Sequence, residues 1–330
     1  MKVLVTGGGG FLGRYIVRDL VLRGDEVTIL GRSDNIEFKG QGVKVVKGDI
    51  RDINVVNNTV ANVDVVFHVA SKVGIFGPLK DYYETNVTGT RNILQACQRN
   101  GVSKLIYTSS PSVVFDGLGH KELDESASYP ERYIASYPLT KAIAERELLA
   151  ANGVDGLLTC SLRPHLIWGP GDTNLIPRLI EKADSGRLMI VGDGNNMIDT
   201  TYVENAAMAH LQACDALKAG SPVCGSAYFI TQGKPTNCWD WINYILRRLG
   251  KPQATKKVPY KVAYFFGAVL EATYNVLGRS SEPPMTRFLA QQLSTSHYFS
   301  INKARKHFGY NPTIGLNEGL EKLFADIKGV

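Results

Sequence analysis

The sequence predicts an α/β fold: a doubly wound parallel sheet of about seven strands, with a smaller, discontinuous, helix-rich domain. Three observations predict it. The chain opens on a β-branched run, residues 2–5, breaks into four consecutive glycines, and resumes as an apolar-periodic helix. Short β-branched runs then alternate with helical patterns through the first half, an order that gives parallel strands. At 330 residues, 44% hydrophobic and 21% charged, the chain can bury one large core and a lesser one.

The opening run suits a central strand buried on both faces. Its glycines parse as Gly7-x-x-Gly10-x-x-Gly13 or as Gly8-x-Gly10-x-x-Gly13. Lacking Cβ atoms, they let backbone N–H groups and the positive end of a helix approach a pyrophosphate. Phe11, Leu12, Ile16 and Leu20 mark the buried face of that helix, completed by residues 14–22 and ended by Gly24. Further strands fall at residues 26–30, 43–46, 63–69, 104–108, 157–167 and 227–231, with helices at 83–100 and 138–151. This is the pattern of a Rossmann sheet, which takes ligands at the carboxyl ends of its strands.

After Trp168 the pattern changes. A turn at 169–172 leads to a helix at 175–185, a short strand at 188–191 and a helical stretch at 200–217 that returns to the first domain. Beyond Pro235 the chain is helix-rich and punctuated by proline. The dinucleotide-binding domain is therefore expected over 1–168 with 200–231 returning to it, and the substrate domain over 169–199 and 232–330.

Composition narrows the function. The net charge is +6, without a basic stripe interleaved with aromatics, so no nucleic-acid partner is expected. The five cysteines include no CxxC pair and read as free thiols of a reducing compartment. The first strand begins at residue 2, leaving no room for a signal peptide, so a cytoplasmic protein is expected. His68, His165, His210 and His297 show no metal spacing, and no metal is expected.

The second strand ends in Gly31, Arg32 and Ser33, where a ribose-binding carboxylate would otherwise stand. A guanidinium there grips a 2′-phosphate that a carboxylate would repel, which favours NADP over NAD. Asp49, ending the third strand, is placed to accept a bond from the adenine amino group.

Tyr137 is the only tyrosine followed by lysine four positions on, and the spacing to Lys141 sets both on one helix face. A neighbouring ammonium is expected to lower the phenol below its ordinary value of about 10. The fifth strand ends in Thr108, Ser109 and Ser110, whose hydroxyls would meet a substrate carbonyl at the crevice.

Through VTGGGGFLG, GDI, HVAS, NVTGTRNIL, YTSS, YPLTK and RPHLIWGPGD, the chain resembles the extended short-chain dehydrogenase/reductases along nearly its whole length. The resemblance implies a triad of Ser110, Tyr137 and Lys141, with Ser109 as the alternative serine. Tyr137 would be the acid for carbonyl reduction or the base for alcohol oxidation. Lys141 would also hold the nicotinamide ribose. Gly7, Gly10, Phe11, Leu12, Gly13, Arg32, Ser33, Asp49 and Ile50 would line the rest of the cofactor, with Val69, Ala70 and Ser71. Pro164 and Ile167 would lie near the nicotinamide. Asn86 matches an asparagine with a structural or water-relaying part.

Nucleotide-sugar enzymes of this superfamily usually place an arginine where Ile198 stands, and an apolar residue cannot pair with a diphosphate. RPHLIWGPGD and TTYVENAAMAH instead resemble the 3β-hydroxysteroid dehydrogenase branch, and longer runs a group of bacterial β-keto acid reductases of olefin biosynthesis. The expected reaction is NADPH-dependent reduction of a ketone on a large apolar substrate, a long-chain 2-alkyl-3-oxoalkanoate. The alternatives are an oxidative steroid or sterol dehydrogenase using NAD(P), a nucleotide-sugar epimerase or dehydratase, and a non-catalytic redox sensor. The sensor reading is disfavoured because the tyrosine–lysine pair is intact. Expected partners are a second copy, along the helices at 83–100 and 138–151, and other lipid-pathway enzymes.

Residues 262–277 are apolar and aromatic, follow four lysines, and are too short to span a bilayer comfortably. They read as a core helix roofing the pocket, with an interfacial, membrane-peripheral helix as the alternative. His165, close to the nicotinamide segment, reads as packing or as an auxiliary substrate contact.

Overall fold

The computed structural model describes residues 1–34, 38, 40–279 and 281–329. Five strands lead: β1 (Lys2–Thr6), β2 (Glu26–Gly31), β3 (Lys44–Lys47), β4 (Val65–His68) and β5 (Lys104–Thr108). There follow β6 (His120–Leu123), β7 (Leu158–Pro164), β8 (Ile167–Trp168), β9 (Ile190–Val191) and β10 (Met197–Ile198). The last are β11 (Thr201–Tyr202), β12 (Ser226–Ile230), β13 (Thr236–Asn237), β14 (Lys257–Val258) and β15 (His297–Phe299). The helices begin with α1 (Phe11–Leu22), α2 (Ile53–Val60), α3 (Leu79–Tyr82), α4 (Gly89–Arg99), α5 (Ser136–Ala150) and α6 (Leu175–Asp184). They end with α7 (Val203–Ala216), α8 (Cys238–Arg248), α9 (Tyr260–Val276), α10 (Arg287–Ser294), α11 (Asn302–Phe308) and α12 (Leu316–Lys328).

Seven strands form one parallel sheet in the order β12-β7-β5-β4-β1-β2-β3. Val3, Leu4 and Val5 are fully buried in β1, between β2 and β4, because helices cover both faces of the sheet. On one face Ile16, Val17 and Leu20 of α1 pack with Ala206, Ala209 and Ala213 of α7. On the other, Val56, Ile93, Ala144 and Leu148 bring α2, α4 and α5 together. A second core gathers Trp168, Trp241, Ile245, Leu323 and Phe324 beside a small sheet of order β13-β10-β15-β6. The order of β1 to β2 and of β4 to β1 places the topological switch above β1, where a ligand crevice opens.

Several local expectations are corrected. The helix expected at 83–100 opens as a wide π-turn, Tyr83–Thr88, before α4. Within it the Asn86 carboxamide accepts from the Lys72 N–H at 2.7 Å and donates to the Lys72 carbonyl at 3.0 Å. The sixth strand stops at Pro164, because Leu166 adopts φ 43° and turns the chain into β8. Residues 201–202 pair with β8 before the helix begins at Val203, where 200–217 had read as helix throughout. His120–Leu123 pairs with His297–Phe299 in the small sheet, although it falls within residues 1–168.

Candidate active site

The glycine loop is a close-packed cradle. Gly7 has φ +70°, and a Cβ there would sit 2.9 Å from the Ala70 backbone. A Cβ on Gly13 would run into the Gly7 carbonyl oxygen. Gly8 packs instead on Ile29 and Val17, so Gly7-x-x-Gly10-x-x-Gly13 describes the loop. Gly10 caps α1 without a side chain, leaving the first-turn N–H groups to a ligand. The loop opens into a cleft of about 1150 Å³. These features fit the pyrophosphate of a dinucleotide.

At the adenosine end Arg32 and Ser33 line the cleft beside Asp49 and Ile50. Arg32 is exposed, and no side chain among the described residues pairs with it. Asp49 is not free, because Arg51 holds both carboxylate oxygens at 3.1 and 2.8 Å. That pairing, assisted by Arg32, keeps the carboxyl below its ordinary range. Val69, Ala70 and Ser71 line the cleft beside the glycines, with Ala70 packed on Gly7, and Pro164 and Ile167 line it as well.

Register explains why the reacting groups meet. β5 and β7 are parallel neighbours with Thr108 opposite Leu162, and the Ser109 N–H donates to the Leu162 carbonyl at 2.6 Å. Ser110 and Pro164 therefore leave the sheet side by side. The first turn of α5 sets Tyr137 beside them in the cleft wall. Ser110 caps a short turn through Ser112, and its hydroxyl acts on the Tyr137 phenol, while the Ser109 hydroxyl is buried and has no partner among the described residues.

Lys141 does not lower the phenol as expected. Its ammonium donates to the Thr108 carbonyl at 2.5 Å and lies 4.0 Å above the Tyr107 ring. Burial pushes Tyr137 up to about 12, with the Ser110 hydroxyl pulling the other way. Burial likewise brings Lys141 down to about 7, with Glu145 opposing. Burial is the larger influence on both groups, raising the phenol and lowering the ammonium together.

Sequence reasoning missed the support beneath this wall. Glu145, one turn beyond Lys141, is fully buried and accepts from Ser161, Tyr129 and Arg163. The signal was legible as an acid on the apolar face of α5 together with the arginine before Pro164. Asn86 ties the loop after β4 to Thr140 of α5 at 3.1 Å, a structural part.

The model of the 3-beta hydroxysteroid dehydrogenase/isomerase family matches residues 4–260. This chain belongs to that family. It is an NAD(P)-dependent oxidoreductase of the type that interconverts CH–OH and C=O. It is 46% identical to a 2-alkyl-3-oxoalkanoate reductase of Stenotrophomonas maltophilia, over 98% of this chain and 99% of the relative. It is 34% identical to a mouse protein named sterol-4-alpha-carboxylate 3-dehydrogenase, decarboxylating, over 97% and 89% of the two chains. Among solved structures, MoeE5 in complex with UDP-glucose and NAD superposes with a TM-score of 0.76 at 25% identity, covering 100% and 99%.

In this member of the 3-beta hydroxysteroid dehydrogenase family the far end of the cleft is aromatic, lined by Phe115, Phe288 and Phe299. Ile198 is buried in the small sheet and does not line the cleft. On the opposite wall Arg178 is paired with Glu282, whose other oxygen accepts from the Ile75 N–H at 3.1 Å.

The reading of 262–277 as a roofing core helix is overturned. Only Ala263 and Gly267 of α9 are buried, because these small residues let the helix approach the Thr286–Arg287 backbone closely. The opposite face carries Val262, Phe265, Phe266, Val269 and Val276 into the open, Phe265 at 70% and Val276 at 86% exposure. Tyr274 packs edge-on against Phe76, beside the cleft-lining Ile75, so α9 runs to the cleft mouth. No helix among the described residues is long and apolar enough to cross a membrane.

Proposed function

We propose that this enzyme uses NADPH to reduce the ketone of a long-chain 2-alkyl-3-oxoalkanoate to the 3-hydroxy acid. One observation carries the reading: a single cleft joins the glycine cradle, the Ser110–Tyr137 wall and an aromatic end suited to an apolar body. When bound, the dinucleotide supplies the hydride. Ser110 orients the carbonyl, and Tyr137 gives its proton to the forming alkoxide. Burial holds the Tyr137 phenol protonated in the cleft wall, the form in which it donates to an alkoxide. Arg32, exposed at the adenosine end, is the partner for a 2′-phosphate and supports NADPH.

The exposed face of α9 supports peripheral contact with an anionic lipid surface. Lys256 and Lys261 flank its start and Arg279 follows its end, while Glu271 is turned inward onto Arg287. Apolar side chains between cations match the acyl boundary and its headgroups. A homodimer along α4 and α5, which Arg91 and Glu147 link at 2.6 Å, and association with other lipid-pathway enzymes belong to the same reading.

The test is NADPH oxidation against long-chain β-keto acids and 3-ketosteroids. Preference for the acids is expected. Turnover of steroids alone, or faster oxidation of 3-hydroxysteroids, overturns the reading.

A further inference from the structure

Four histidines are buried, and two of them are fully satisfied by hydrogen bonds within the fold. His68 holds Thr6 and Thr90 at 2.7 and 2.9 Å, and His210 holds Ala206 and Thr108 at 2.7 and 2.9 Å. The other two, His165 and His297, line the cleft, and each leaves one ring nitrogen without a hydrogen-bond partner among the described residues.

His165 follows Pro164 at the exit of β7. Its Nδ1 lies 2.7 Å from Asp199 Oδ1, and the other Asp199 oxygen accepts from the Phe299 N–H at 2.8 Å. Asp199 is 1% exposed, so its charge is oriented wholly on these two groups. With Nδ1 turned onto a buried carboxyl group, Nε2 is the ring nitrogen that faces the cleft, and a proton carried there is backed by Asp199. Phe299 and His297 hold the ring edge-on at 5.1 and 5.0 Å. His297 donates from Nε2 to the Gln292 carbonyl at 2.8 Å, leaving Nδ1 a buried, bare acceptor. An aromatic wall that received only hydrocarbon would have no use for a buried polar pair behind it, since burying polar groups costs stability.

We propose that His165, held by Asp199, is the receptor for a substrate carboxylate lying one carbon from the reacting carbonyl. The inference rests on the β-keto acid reading and adds the residue that recognises the acid. Position supports it: Ser110 and Pro164 leave neighbouring strands together, so His165 stands beside the group that orients the carbonyl. The required separation is short, because C1 and C3 of a 3-oxo acid share C2. The competing cations are elsewhere. Arg178 is paired with Glu282 and Arg32 lies at the adenosine end. Two relatives with very different apolar bodies carry this pairing in their names, a 3-oxoalkanoate and a sterol 4-carboxylate processed at C3.

The experiment compares a 2-alkyl-3-oxo acid with the long-chain ketone that lacks its carboxylate, using NADPH and purified full-length enzyme. His165→Leu is expected to lower kcat/KM for the acid roughly 10–100-fold, mainly through KM, while the ketone changes less than about twofold. His165→Gln, which keeps an N–H near the same reach, is expected to recover part of the preference. Retained NADPH binding by fluorescence certifies the fold of each variant, and the milder Asp199→Asn gives the same comparison where Leu misfolds. Equal losses for acid and ketone overturn the carboxylate role while leaving the reductase reading intact. A wild-type enzyme that reduces 3-ketosteroids but no 3-oxo acid overturns the substrate reading and this inference with it.

Discussion

Arg163 Nη2 lies 2.6 Å from Glu145 Oε1, with both side chains buried. The pair joins α5, which carries Tyr137 and Lys141, to β7, which delivers Pro164 and His165. Arg163 also stacks on Phe229 at 5.2 Å, and burial, which would raise the Glu145 carboxyl, is outweighed by Arg163 and its other donors. Glu145→Ala leaves a guanidinium buried without its counter-charge and should cost about 3–5 kcal/mol in urea unfolding. A loss under about 1 kcal/mol would show that the pair does not anchor the helix.

Tyr137→Phe removes the proton donor and preserves the ring. NADPH binding should persist within about threefold, while turnover falls at least roughly 10²–10⁴-fold. Unchanged single-turnover rates would remove Tyr137 from its role.

Arg32→Ala should weaken NADPH by roughly 10–100-fold, the value of a charge-assisted contact, and NADH by far less. Titration by fluorescence distinguishes the two, and equal losses would count against a phosphate clamp.

Lys141 gives stability a pH dependence in the dinucleotide-free enzyme. Burial lowers its folded pKa from 10.5 to about 7, so between those values the unfolded chain binds more protons. The fold therefore gains up to about 1.4 kcal/mol per pH unit as pH rises through that window. Wild type should gain roughly 2–3 kcal/mol on Lys141→Met between pH 7 and 9 in paired denaturation curves. Parallel pH slopes would refute the shift.

Vesicle flotation checks the α9 face. Wild type should float with anionic vesicles and lose this with salt, and Phe265→Ser with Phe266→Ser should abolish it. Both rings are exposed, so stability should change by less than about 0.5 kcal/mol. A wild-type protein that stays unbound at low salt sinks the lipid contact.

Much of the sheet was legible because local chemistry writes it. Val3 to Val5 is β-branched and leucine-rich, Gly7 and Gly13 have no room for a Cβ, and Tyr137 and Lys141 are one helical turn apart. The sites where local reasoning failed are those where a distant partner decides. The stretch 83–100 reads as one regular helix, yet it opens on a π-turn whose Asn86 is bonded to the Lys72 backbone. Residues 262–277 read as core by hydropathy, but Ala263 and Gly267 direct the small side inward. Tyr137 has a lysine neighbour, but the ammonium is spent on Thr108 and Tyr107.

The sequence by itself determined that a dinucleotide cradle, a serine-tipped strand and a tyrosine–lysine helix occur in one chain. Those are signals of residue type and short spacing, and the backbone enforces them locally. Only the tertiary structure decided which side chains share a cleft. Arg163 meets Glu145 across two elements, Asp199 reaches back across 34 residues to His165, and Phe265 is left facing outward. Burial and pairing set the charge state and the exposure of each group, and both depend on neighbours that sequence spacing does not encode.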